Sequence, residues 1–185
     1  PRTGGDYRLG ALDLRLHSQP DTEAFLPRLQ QLDGIDEVVF CGYGEPTARL
    51  SALLRIGQYV RRRGVPVRLN TNGLGNLINA TDIVPLLATA VDSVSVSLNA
   101  QNEAVYLRHC RPRQAQQAWP ALLEFIRSAA ASIPQVTATA IAGLDDVDMD
   151  ACRVLAHSLG AGFRARREGR VGRPPELEFL RVPLQ

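Results

Sequence analysis

The sequence contains no lysine: all 21 of its basic residues are arginine. That absence excludes a lysine Schiff base and the lysine of a phosphate-binding P-loop. Cysteine is scarce too. Cys41, Cys110 and Cys152 are an odd number with no short spacing between them, which argues against both a disulfide framework and a zinc site. No apolar run approaches the roughly 18–20 residues that cross a bilayer, and no basic-plus-apolar signal segment opens the chain. The expectation is a reduced, cytoplasmic protein with no membrane partner. The three histidines, His17, His109 and His157, are scattered, and His157 falls inside a helical pattern; a Ser/His/Asp hydrolase is not what this sequence encodes.

What is present is ordinary in amount. The 185 residues are 45% hydrophobic and 22% charged with a net charge of +2, enough for one domain with a substantial core and no demand for a polyanionic partner. Period-two alternation, over 11–16 and 91–100, and short apolar runs predict strands over 11–16, 36–41, 65–71, 91–100, 135–143 and 161–168. Helical spacing predicts helices over 21–32, 48–64, 82–90, 115–132 (with Pro120 inside its first turns) and 145–160. Residues 169–185 read as a Gly/Pro-rich tail. Strand and helix alternate some five times, which means βαβ units and a parallel sheet, either doubly wound or a (β/α) barrel. In both, chemistry gathers beyond the carboxyl ends of the strands.

Those ends carry a distinctive set of residues. The strand at 36–41 delivers Gly42, Tyr43, Gly44, Glu45 and Pro46; the next delivers Asn70, Thr71, Asn72 and Gly73; the next Ser97, Leu98 and Asn99; and the one at 135–143 ends in Ile141, Ala142 and Gly143. Glycines allow close approach of the backbone to a ligand, amides and hydroxyls can bond its hydroxyls, and a carboxylate suits an ammonium group. Asn-Gly alone is a common turn. The ordered recurrence at successive strand ends is what points to a ligand site.

In these motifs the sequence resembles the radical SAM superfamily, whose partial (β/α)6 TIM-like barrel binds S-adenosylmethionine (SAM) and a 4Fe–4S cluster. The family's "GGEP" motif is similar to "GYGEP" at Gly42, Tyr43, Gly44, Glu45 and Pro46. The resemblance implies that this loop binds the amino group of SAM. It also implies that Thr71-Asn72-Gly73 and Ser97-Leu98-Asn99 meet the carboxylate or ribose. A looser adenine-proximal motif carries over only to Ile141 and Gly143, because Ala140 and Asp146 stand where the family has glycine and glutamate. The stretches "VVFCGYGEPT", "VRLNTNGLGN", "DSVSVSLNA" and "CRPR" are similar to the radical SAM proteins associated with TatD-type nucleases, over about residues 8 to 167.

The resemblance implies an enzyme that generates a 5′-deoxyadenosyl radical for hydrogen abstraction, with a functional link to a TatD-type nuclease. One feature departs from it: the cluster-binding C-x3-C-x2-C motif occurs nowhere in this sequence. The expectation is that the first strand and the cluster loop lie upstream of Pro1, so that residues 1–168 form the remaining barrel. A cluster-less barrel that binds SAM or scaffolds a partner is the alternative. An α/β enzyme acting on phosphorylated metabolites would need a better phosphate loop than "EGRVGRPP". The arginines Arg164, Arg166, Arg167, Arg170 and Arg173 are the densest basic stretch, either a solvated strand and tail or a guide for an anion.

Overall fold

The structure is a computed structural model and describes residues 8–9, 12–13, 21–42 and 44–167. Two short strands, β1 (Arg8–Leu9) and β2 (Leu12–Asp13), form an antiparallel ribbon. The main body is a five-stranded parallel sheet of β3 (Val38–Phe40), β4 (Val67–Thr71), β5 (Ser93–Ser97), β6 (Gln135–Ala142) and β7 (Gly162–Arg167). The strands lie in the order of the chain. Between them run α1 (Leu50–Arg61), α2 (Gly75–Asn79), α3 (Val84–Ala88), α4 (Glu103–Cys110), α5 (Ala115–Ser132) and α6 (Met149–Ser158).

A crossover between parallel strands is right-handed, and here every crossover steps in the same direction along the sheet. The connecting helices therefore share one face. The chain is an α/β protein with a singly wound parallel sheet, compatible with a partial α/β barrel. On the helix side, Val67, Leu69, Val94, Val96, Ala138 and Ala140 meet Val60, Leu87, Leu122, Phe125, Ile126 and Ala156 in one buried cluster. Among the described residues no helix is long and apolar enough to cross a membrane.

The other face is chemically different. Directly paired residues of a parallel ladder share a face, and the register sets Arg68 beside Ser93, Asn70 beside Ser95, Ser95 beside Thr137, Ser97 beside Thr139, Thr139 beside Arg164 and Ile141 beside Arg166. Apart from Val39, Ile141 and Gly162, the described positions of this face carry polar side chains. Covered parallel strands read as continuous apolar runs; these alternate.

The helix predicted over 21–32 is instead two 3-10 turns, Thr22–Ala24 and Arg28–Gln30. Pro27 lies between them, where its ring and missing N–H break an α-helix. The helix predicted over 48–64 begins as a 3-10 turn at Pro46–Arg49 and continues as α1. The helix predicted over 145–160 starts only at Met149, because Asp148 caps it through bonds from Asp150 N (2.9 Å) and Ala151 N (3.0 Å). Two helices, α2 and α4, were not legible as periodic runs. The strand predicted over 11–16 is β2 at Leu12–Asp13 and otherwise lies outside the described residues, as does the tail at 169–185.

Candidate functional site

The loop after β3 is organised by Glu45. Its carboxylate caps the 3-10 turn at Pro46–Arg49 and reaches across to the end of β4. Oε1 accepts from Thr47 N (3.1 Å), Thr47 Oγ1 (2.8 Å) and Thr71 Oγ1 (2.7 Å), and Oε2 accepts from Asn72 N (2.8 Å). All four donors are neutral, and among the described residues no cation pairs with Glu45. Oε1 is saturated, whereas Oε2 has one partner and room for another donor.

Thr71 is a hinge pin of this arrangement: it is 4% exposed, donates to Glu45 and accepts from Gly73 N at 3.0 Å. The side chain of Asn72 turns back onto Leu74 N at 2.8 Å, so what Asn72 gives the Glu45 loop is its backbone N–H. Gly73 has φ +76°, and a Cβ there would lie 2.8 Å from Val96 Cγ1 and closer still to Leu122 Cδ1. Glycine is thus required twice over, by backbone conformation and by the packing of α5 under the loop. The sequence motifs Gly42-to-Pro46 and Thr71-Asn72-Gly73 are brought together as one braced unit, with Gly42 and Gly44 exposed. Tyr43 lies outside the described residues.

The remaining predicted residues sit on the neighbouring strand ends. Ser97 and Ile141 are half-buried on the open face of β5 and β6. Asn99 follows β5 in left-handed conformation at φ +59°, its N–H bonded to Thr139 O (3.0 Å) and its Nδ2 directed at Cys110 Sγ (3.7 Å). Burial pushes the Cys110 thiol up, an effect opposed by the bond from Asn99. The loop that follows β6, with Gly143 at φ +92°, is held from α4. Arg108 pairs with Asp146, His109 Nε2 lies 2.8 Å from Asp145 O, and Gln101 bonds Asp146 O (2.8 Å) and Asp148 N (3.2 Å).

Among the described residues, two buried side-chain atoms at these strand ends have no hydrogen-bond partner: Asn70 Oδ1 and Asn99 Oδ1. Native proteins seldom leave such atoms bare. Asn99 was expected at the site. Asn70 was visible at a strand end but had no assigned role; strand alternation already places it on the opposite face from Thr71.

The three cysteines stay apart, Cys41 exposed, Cys110 half-buried and Cys152 buried, and among the described residues no three His, Cys, Asp or Glu side chains gather to hold a metal. Two hollows of about 320 and 230 Å³ lie at the opposite end of the sheet, around Arg61, Gln58, Pro66 and Asp92. Both are open, and the Arg61–Asp92 ion pair at 3.0 Å lines the smaller, whereas ligands of α/β folds bind at the strands' carboxyl ends. Comparison of the chain with protein-family models and with curated proteins gives no match.

Proposed function

We propose that this chain is the SAM-binding part of a radical SAM-type barrel, with the methionyl and ribosyl end of SAM lying over the mouths of β4 and β5. The observation that carries this reading is the pair of bare, buried acceptors, Asn70 Oδ1 and Asn99 Oδ1. A buried acceptor without a donor costs about 1–3 kcal/mol, a cost that a ligand rich in N–H and O–H groups removes on binding. SAM offers an ammonium and two ribose hydroxyls. The free position on Glu45 Oε2 supports the same reading, since a carboxylate held by neutral donors keeps its charge available for an ammonium.

The residues present fit SAM and do not fit the cluster. Cys41, Cys110 and Cys152 do not supply a C-x3-C-x2-C ligand set. Within this reading Thr71 and Asn72 position the Glu45 loop, Asn70 and Asn99 accept from the ligand, and Ser97 and Ile141 border it.

Equilibrium dialysis with labelled SAM tests the proposal. Asn70→Leu keeps the side chain's size and removes the bare acceptor. It should leave urea stability unchanged or raised while weakening SAM on the order of tenfold, the value of one hydrogen bond in a desolvated site. Failure of the wild-type protein to bind SAM, or equal binding by Asn70→Leu, would remove the assignment. Glu45→Gln should weaken SAM as well, but it also replaces the acceptor for Asn72 N with a donor, so its melting must be compared alongside.

A further inference from the structure

The open face of the sheet ends in two arginines. Arg164 and Arg166 are two residues apart on β7, so their side chains leave the same face, paired in register with Thr139 and Ile141. At about 3.3 Å of rise per residue their Cα atoms are roughly 7 Å apart, close enough for two guanidinium groups to converge on one anion. Six other arginines, Arg55, Arg61, Arg68, Arg108, Arg127 and Arg153, each have a carboxylate partner. Among the described residues Arg164 and Arg166 have none.

Among the described residues their surroundings supply no compensating charge. The adjoining rows of the sheet contribute Ser95, Ser97, Thr137 and Thr139, all neutral hydroxyls, and the third arginine of this face, Arg68, is neutralised by Glu37 at 2.8 Å. Partial burial first, and the neighbouring charge of Arg164 second, lower Arg166 from the ordinary arginine value. Paired arginine forks match phosphate oxygens in geometry and in charge better than they match a monovalent carboxylate.

We propose that the β7 side of the open face binds a phosphorylated small-molecule substrate, its phosphoryl group held by Arg164 and Arg166 and its hydroxyls facing the half-buried Ser97. The inference rests on the SAM reading only in placing substrate and SAM on the same face of the sheet. A phosphate site on β7 stands without it.

The test is calorimetric titration with inorganic phosphate, and with acetate as a monovalent carboxylate. Wild-type protein should bind one phosphate saturably and acetate at least about tenfold more weakly. The double variant Arg164→Gln/Arg166→Gln should lose at least about tenfold in phosphate affinity, with unchanged urea unfolding. Arg62→Gln/Arg63→Gln removes the same charge from the far end of α1 and should bind phosphate normally. No saturable phosphate binding, equal affinity for acetate, or an equal loss in Arg62→Gln/Arg63→Gln would overturn the site. Labelled SAM separates the two proposals. Phosphate binding without SAM binding removes the SAM assignment alone, and SAM binding that survives in a protein without phosphate affinity removes the phosphate site alone.

Discussion

The two faces of this sheet are built from the same strands by alternation, and they do opposite things. On the helix side Val67, Leu69, Val94, Val96, Ala138 and Ala140 are at most 2% exposed and form the floor of the core. On the open side the intervening residues are Arg68, Asn70, Ser93, Ser95, Ser97, Thr137, Thr139, Arg164 and Arg166. The first face is closed by dispersion and water exclusion. Among the described residues, the second keeps the bare Asn70 Oδ1 and two arginines without a carboxylate partner. A parallel sheet usually hides both faces; leaving one polar forgoes burial energy, which the proposed ligands would offset.

That contrast can be broken at graded positions. Phe125→Ala, a fully buried side chain of α5 against the helix-side face, should cost about 3–5 kcal/mol in urea unfolding; a loss below 1 would mean the core is not organised as described. Thr71→Val comes next. It strips the donor from Glu45 and the acceptor from Gly73 N, and should cost about 1–3 kcal/mol while loosening the β4 loop, seen as faster amide exchange at Gly73. Ser95→Ala, on the open face, should change stability by less than about 0.5 kcal/mol; a large loss there would show that the open face is structural.

The smallest effect at neutral pH belongs to the cysteines. Burial, with Asp148 adding to it, raises the Cys152 thiol from the usual 9.0 to about 11. A group with its folded pKa raised contributes stability that is intact below its unfolded pKa and is lost as pH climbs through the folded one. Stability should therefore hold to about pH 9 and decline toward pH 11, and Cys152→Ala should flatten that decline. A thiol reagent should label the exposed Cys41 first and reach the fully buried Cys152 only on unfolding.

Much of the fold was legible because parallel strands and long amphipathic helices repeat their pattern over enough residues. β4, β5, β6, α1, α5 and α6 all fall within the predicted segments. The short elements were not: α2 has five residues, and α4 has no clear apolar stripe, its one visible signal being Asn102, which caps it by accepting from Val105 N at 3.0 Å. The helix predicted over 21–32 failed at Pro27, where a local rule overrode the apolar spacing. Of the candidate site, the strand-end motifs were readable and their partners were not. Glu45 looked like a carboxylate free for a ligand. In the folded chain it is first a brace between the β3 and β4 loops, with room for one more donor on Oε2.

By itself the sequence determined the α/β class, the positions of most strands and the polar residues at their ends, because alternation, capping and glycine placement act within a few residues of chain. Only the tertiary structure decided which of those residues meet. Thr71 reaches Glu45 across 26 positions of sequence, and Thr139 and Arg164 become neighbours through the β6–β7 register. The bare oxygens of Asn70 and Asn99 exist as a signal only after folding, since an acceptor is orphaned by what surrounds it in space and local sequence does not encode that surrounding.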